Sequence, residues 1–344
     1  MTTELTGATP LTRGSADQAA IDDRYMAAAA ALGRRGRGQT APNPNVGCLI
    51  VKDGLVVGRG WCQPGGRPHA EAMALAEAGE RARGATVYTT LEPCAHQSPR
   101  GPHCSGLLAA AGVARVVSGL RDPDPRTDGK GHDRLAAAGI RVGFGGAAAA
   151  CRRSMEGYFT QRRHGRPHVT LKLATSLDGC IAMANGESRW ITGAAARAHG
   201  HLQRALSEAI LVGRGTLDAD APRLDVRLPG LEPRSPRRLV LTRGSAPEGW
   251  TAIAAPQDIA ALSAVDHLLV EGGAGAAAAF LAADMVDRLL LYRAPILIGG
   301  GGRHALGDIG LARLADAHGR WRLADTWMLG SDRLEVYERA LEQD

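Results

Sequence analysis

Two short segments constrain this chain more than anything else in it. They are Pro68-His69-Ala70-Glu71, and Glu92-Pro93-Cys94 with Cys104 following. One imidazole and two thiolates can hold a zinc ion, leaving its fourth position to water. Zinc lowers the pKa of that water, and a nearby carboxylate that does not ligate can move its proton. Residues so far apart in sequence converge only where a fold brings a helix start and a strand end to one point. Any architecture proposed for the chain has to meet that condition.

The length, 344 residues, predicts two domains. Aromatics are 4% of residues, so the cores must rest on Ala, Leu, Val and Ile. A net charge of +6 suits a phosphorylated substrate and cofactor. No Lys/Arg block is interleaved with aromatics for base stacking, which argues against a nucleic-acid partner. Six cysteines are too sparse for a disulfide framework. The N-terminus is polar, with no apolar leader. The most apolar run, 274–286, is too short for a membrane span and contains Asp284. A cytoplasmic protein without membrane contact is expected.

Residues 1–16 are expected to be disordered, and 17–150 to form the first domain. A helix over 17–32 would turn Ile21, Tyr25, Met26 and Ala29 to one face. The 42–45 turn leads to a strand at 46–52, and Asp53-Gly54 makes a hairpin into 55–60. His69 opens a helix reaching 78, and a strand at 85–91 delivers Cys94. Cys104 begins a helix over 105–111, followed by a strand at 115–120. Strand–helix alternation predicts a three-layer α/β sheet, with both metal segments at helix N-termini, where thiolates are favoured. Residues 151–167 read as a linker. In a second domain, 168–344, strands are expected at 168–174, 209–212, 238–242, 267–270 and 288–292, with a helix over 194–206.

Taken alone, His-Ala-Glu is ordinary for a first helical turn, and Pro-Cys is ordinary at a strand end. Together, in this order, they predict one catalytic zinc on His69, Cys94 and Cys104, with Glu71 as proton shuttle. The pattern H-x-E…P-C-x-x-C marks zinc-dependent nucleobase deaminases. Here nine residues, 95–103, separate the cysteines. His103 beside Cys104 leaves an alternative ligand open. Cys48 and Cys62 read as small buried residues.

With these motifs the chain resembles a known family. PNPNVGC at 42–48, PHAE at 68–71, TLEPCAH at 90–96 and GLRDPDP at 119–125 resemble the deaminase half of bifunctional riboflavin-biosynthesis deaminase–reductases. LKLATSLDGCIA at 171–182, GESRWIT at 186–192 and VEGG at 270–273 resemble the reductase half. The resemblance implies a cytidine-deaminase-like first domain and a dihydrofolate-reductase-like second. It implies hydrolysis of an exocyclic amine on a phosphoribosylamino-diaminopyrimidinone, then NADPH-dependent reduction of the ribosyl group to ribityl. Asn43, Asn45, His96, Arg100 and Asp122 are implied to contact the first substrate, although Asn43 and Asn45 equally suit plain turn chemistry. A homo-oligomer is also implied.

In the second domain, Gly273, Ala274, Gly275, Ala276, Ala277, Ala278 and Ala279 follow a strand and open an Ala-rich helix. Glycines there let amides approach a pyrophosphate. No acidic ribose reader follows, so a dinucleotide-binding Rossmann fold is not expected. Arg243, at the end of the 238–242 strand, suits the 2′-phosphate of NADPH. The resemblance adds Ala174, Trp190, Thr216 and Asp220 to the cofactor site. It assigns Ser188, Arg204, Leu224, Arg227 and Glu271 to the phosphoribosyl substrate. Two arginines suit a phosphate monoester. Asp220 and Lys172 are candidates for proton handling, while Lys172 equally suits a strand lysine paired with Glu271.

Three departures from the family pattern stand out. The loop between the cysteines is one residue longer than is usual in the family, Asp124 stands where Asn is expected, and the stretch from Thr242 to His267 is short. The last raises an alternative, a deaminase whose second domain has lost hydride transfer. A nucleic-acid-editing deaminase is a third reading, against which the low aromatic content counts.

Overall fold

A computed structural model describes residues 13–340. The first twelve residues, most of the stretch expected to be disordered, lie outside the described residues, as do the last four. The chain divides into two compact units, Met1–Glu156 and Gly157–Asp344.

The first unit runs α1 (Arg13–Gly33), β1 (Gly47–Lys52), β2 (Leu55–Trp61), α2 (Ala70–Ala78), β3 (Thr86–Thr89), α3 (Cys104–Ala110), β4 (Arg115–Ser118), α4 (Lys130–Ala137), β5 (Arg141–Phe144) and α5 (Ala148–Ser154). Its sheet has the order β2-β1-β3-β4-β5. β1 is antiparallel to both neighbours, while β3, β4 and β5 run parallel. Asp53 (φ 50°) and Gly54 (φ 77°) both take the left-handed backbone that a two-residue hairpin needs.

Two glycines show how the layers close. A Cβ on Gly47 would stand 2.0 Å from the Ala29 carbonyl oxygen of α1, and one on Gly60 would stand 2.0 Å from that of Ala70 in α2. Gly60 pairs with Cys48, the residue after Gly47. Successive strand residues face opposite ways, so α1 and α2 cover opposite faces. The expected three layers are present.

The first helix corrects one expectation. Met26 and Ala29 are buried, but Ile21 is 41% exposed and its neighbour Asp22 is buried instead. Arg115 donates two bonds to the Asp22 carboxylate (2.9 and 2.5 Å), and the Tyr88 hydroxyl donates a third (2.8 Å). A carboxylate paired this way can enter a core that an unpaired one could not. The segment read as linker also differs. Most of 151–164 is helical, in α5 and α6 (Glu156–His164), and the units divide inside it.

The second unit continues with β6 (His168–Thr175), β7 (Cys180–Ala182), α7 (Ala194–Ala205), β8 (Ala209–Gly213), α8 (Arg214–Asp220), β9 (Arg237–Leu241), β10 (Thr251–Ile253), β11 (His267–Val270), α9 (Ala274–Ala282), β12 (Arg288–Arg293), β13 (Arg303–His304), β14 (Trp321–Leu329) and β15 (Asp332–Arg339). Eight strands form one sheet, β10-β9-β8-β11-β6-β12-β15-β14. β6, β8, β9, β10, β11 and β12 are mutually parallel, and β15 pairs antiparallel with both β12 and β14. The short stretch before His267 is not empty. β10 extends the sheet edge, and a 3₁₀ turn at Pro256–Ala261 returns the chain.

Alternation along β6 sets the next step. Val169, Leu171 and Leu173 enter the main core with Leu268, Val270 and Phe280. Lys172 therefore points to the other face, where Leu290, Tyr292, Leu334 and Ala196 pack together. Among the described residues no helix is long and apolar enough to cross a membrane.

Candidate active sites

In the first unit, His69 is the N-cap of α2, Cys104 is the first residue of α3, and Cys94 follows β3. Their ligand atoms all lie within 4.8 Å of one another. His69 Nδ1 is 3.3 Å from Cys104 Sγ and 3.6 Å from Cys94 Sγ. Zinc–sulfur and zinc–nitrogen bonds at tetrahedral angles separate the N and S atoms by about 3.6 Å. Both nitrogen–sulfur separations suit a zinc ion held by the three side chains.

The helix N-terminus polarises the pair of thiols. The Cys104 amide donates to Cys94 Sγ at 3.2 Å. A hydrogen bond from the Cys104 side chain brings the Cys94 thiol down to about 4, while Cys104, bonded to it and buried, is pushed up. Glu71 sits in the first turn of α2, 3% exposed, and burial raises its pKa. A raised carboxyl suits a group that must both take and return a proton near neutrality.

His103 does not compete for the metal. Its ring caps α3, accepting from the Gly106 amide at 2.9 Å, and lies 2.7 Å from Arg134 Nη1. Asn43 does reach the triad, with Nδ2 3.3 Å from His69 Nε2 and donating to the Gly66 carbonyl at 2.8 Å. Asn45 is 3% exposed, and its amide donates to the carbonyls of Gly33 (3.2 Å) and Ser154 (2.7 Å). Its amide hydrogens thus hold the first unit together. Arg100 Nη2 donates to the Gly65 carbonyl at 2.5 Å, and His96 Nδ1 is 3.4 Å from Thr127 Oγ1. Asp122 is buried, and its Oδ1 accepts from the Asp124 amide. Asp124, where Asn is expected, is neutralised by Arg126 through bonds of 2.6 and 3.0 Å. Cys48 and Cys62 are free and buried.

The second unit has an open cavity lined by residues that include Lys172, Trp190, Arg197, Arg204, Arg227, Glu271 and Tyr292. It lies where β6, β11 and β12 end, the usual position for a ligand on a parallel sheet. Arg204 holds Glu271 with two bonds of 2.8 Å, and Lys172 Nζ stands 3.9 Å from Glu271 and 5.6 Å from the Tyr292 ring centroid. Lys172 thus faces the cavity and pairs with Glu271. Arg197 stacks 4.7 Å from the Trp190 ring centroid and donates to the Thr192 carbonyl at 2.6 Å. Arg197 and Tyr292 escaped the sequence reading, and no motif marks either.

Asp220 is exposed and pairs with Arg189 at 3.7 Å. Ser188 is half-buried and Arg243 exposed. Leu224 packs its side chain against Ile210, Val212 and Leu269, so only its backbone (φ 54°) could meet a ligand. Ala174 packs beside Tyr292.

The 273–279 segment is narrower as a phosphate cradle than expected. Gly273 is the N-cap of α9, no side chain caps this helix, and a Cβ on Gly275 would meet nothing within 4 Å. Thr216 Oγ1 accepts from the Gly273 amide at 3.0 Å. Ala277 already donates to the Gly273 carbonyl, and Ala276, Ala277 and Ala278 are buried. Open amides belong to the first turn alone, which still fits the pyrophosphate of NADPH.

Residues 19–120 match the family described as the cytidine and deoxycytidylate deaminase zinc-binding region, and residues 167–334 match the RibD C-terminal domain. The riboflavin biosynthesis protein RibD of Escherichia coli (strain K12) is 41% identical, over 86% of this chain and 94% of its own length. Its counterpart in Aquifex aeolicus is 35% identical, over 93% and 99%. Of solved structures, Acinetobacter baumannii RibD aligns with TM-score 0.82 at 35% identity, covering 94% of this chain and 99% of its own. A Thermotoga maritima protein aligns with TM-score 0.84 at 29% identity and the same coverage. It is described as a diaminohydroxyphosphoribosylaminopyrimidine deaminase/5-amino-6-(5-phosphoribosylamino)uracil reductase.

Proposed function

The chain belongs to the RibD family of riboflavin biosynthesis proteins, and from that premise we propose how its residues divide a deamination and a reduction between two sites. It is a bifunctional enzyme of α/β fold, with a zinc-dependent, cytidine-deaminase-like first domain and an NADPH-dependent, dihydrofolate-reductase-like second. Water replaces the exocyclic amine of 2,5-diamino-6-(5-phosphoribosylamino)pyrimidin-4-one, releasing ammonia. A hydride then reduces the ribosyl group of 5-amino-6-(5-phosphoribosylamino)uracil to ribityl. A second unit without hydride transfer is not favoured, because relatives align across both units and β10 with its turn fills the shortened stretch.

The observation that carries the first half is the His69–Cys94–Cys104 triangle beside buried Glu71. These three residues would hold a zinc ion, which when bound would polarise a water so that it ionises near neutral pH. Glu71 takes the proton of that water, gives it to the pyrimidine ring nitrogen, and then serves the departing amine. Asn43, His96, Arg100 and Asp122 surround the pyrimidine and its sugar phosphate. In the second unit, NADPH would supply the hydride that reduces C1′ of the sugar in its open imine form. The first turn of α9 and Thr216 would hold its phosphates, Trp190 would flank the nicotinamide, and Arg243 would bind the 2′-phosphate. Arg204 and Arg227 hold the substrate phosphate, and Lys172, which faces the cavity, handles the accompanying proton in preference to exposed Asp220. The exposed Leu323, Trp327 and Met328 on edge strand β14 support a homo-oligomer, and we place the enzyme in the cytoplasm.

The test is Glu71→Gln, with metal content, ammonia release and NADPH oxidation measured together. The variant is expected to keep its zinc and its NADPH oxidation on supplied deaminated substrate. Ammonia release should fall by about 10²–10⁴-fold, the usual worth of general acid–base catalysis. Ammonia release at the wild-type rate removes Glu71 from the mechanism.

A further inference from the structure

Glu92 is a buried carboxylate near the metal triad that the chemistry above does not use. It stands two residues before Cys94 and is 2% exposed. Its Oε1 accepts from the amides of Gly131 (3.0 Å) and His132 (3.3 Å). Its Oε2 accepts from those of Gly129 (3.0 Å) and Asp122 (3.4 Å). All four donors belong to one segment, 119–132, and the Glu92 amide donates back to the Leu120 carbonyl at 2.9 Å. The two backbones are close as well: a Cβ on Gly131 would stand 2.0 Å from the Pro93 carbonyl oxygen.

The segment so fastened carries Asp122 and the Asp124–Arg126 pair. From the metal side, His96 reaches Thr127 of this segment and feels the charges of Arg126 and Asp124 as well as that of Cys94. The segment therefore borders the deamination site. The triad has supports of its own: the Cys104 amide holds Cys94 Sγ, and the Ser105 hydroxyl donates to the Cys94 carbonyl at 3.0 Å.

We propose that Glu92 is a positioning residue for deamination, fixing segment 119–132 against the metal loop so that Asp122 meets the pyrimidine. Glu92 touches neither substrate nor ion. The inference rests on the deaminase reading above and adds to it a device that sets substrate engagement apart from metal binding.

Glu92→Gln tests it, because the amide keeps one acceptor atom and turns an NH₂ group against two of the four donors. Zinc content is expected to stay at the wild-type level. The KM for the diaminopyrimidinone should rise by about tenfold or more while kcat changes by less than about threefold, the signature of lost binding. Amide exchange at Gly129, Gly131 and His132 should speed up. NADPH oxidation on supplied deaminated substrate should be unchanged, which reports that the second unit is folded, while the retained zinc reports the same for the first. Glu92→Asp keeps the charge but withdraws it by one methylene, and should give an intermediate KM. It replaces the glutamine variant if that one does not fold. A wild-type KM in the variant, or zinc lost in step with activity, overturns the proposal. Wild-type enzyme that releases no ammonia in the same assay overturns the deaminase reading instead.

Discussion

Arg204 and Glu271 are held together by two bonds of 2.8 Å, with side chains 15% and 10% exposed, and Lys172 is a weaker second partner at 3.9 Å. Removing one member of a buried pair costs about 3–5 kcal/mol, because the other charge is left uncompensated. Arg204→Met should therefore lower the stability of the second unit by about 3 kcal/mol in urea unfolding. It should also raise the KM of the reduction while ammonia release is unchanged. Adding Glu271→Gln should restore most of the stability without restoring the KM, and recovery of both would make the pair purely structural. The sequence disclosed residues of this kind unevenly. His69, Glu71, Cys94 and Cys104 were legible because metal chemistry limits both residue type and order. Arg204 and Glu271 came only through family resemblance, since an arginine on a helix carries no local mark of what it faces. Asn45 misled because Asn serves turns, backbone ties and ligands alike.

The helix α2 carries His69, the proposed metal ligand, at its N-cap and Glu71, the proposed proton shuttle, in its first turn, and its seat on β2 is set by Gly60. With the Ala70 carbonyl 2.0 Å from where a Cβ would stand, Gly60→Ala must push α2 outward. Overpacking of this kind costs about 1–3 kcal/mol. The variant is expected to unfold at lower urea concentration and, because His69 moves with α2, to bind zinc more weakly in competition with a chelator. Unchanged zinc affinity would show that the loop before His69 absorbs the shift. Elements with strong local marks were readable in advance: Asp53-Gly54 located the hairpin, and β11 has the expected bounds. α4 and β5 were missed because the preceding run of Asp, Pro and Gly reads as loop. The helical 151–164 segment was missed because an Arg-rich run after Gly and Ala looks like linker, and only tertiary packing makes it otherwise.

Across the molecule, the stability of the second unit should depend on pH through Asp266. This residue is 5% exposed, and burial pushes its carboxyl up to about 7, with the Glu208 charge adding and Arg162 opposing. An unfolded Asp titrates near 3.9. Between those values the folded chain keeps a proton that the unfolded chain has released, so stability falls as pH rises through the window and levels off above it. Glu208, held low by His267 at 3.5 Å, acts in the opposite sense toward acid, so the comparison must be made against a variant. Asp266→Asn should open a stability gain over wild type that grows from about pH 4 to about pH 7 and is level above that. Parallel curves would place its titration elsewhere. The division of the chain falls at the first residue of α6, within a helical run of one polypeptide. Each ribosome that completes one catalyst therefore completes the other, in fixed equal dosage. No change in transcription can favour either step, and the pace of the first relative to the second is left to the turnover of each site.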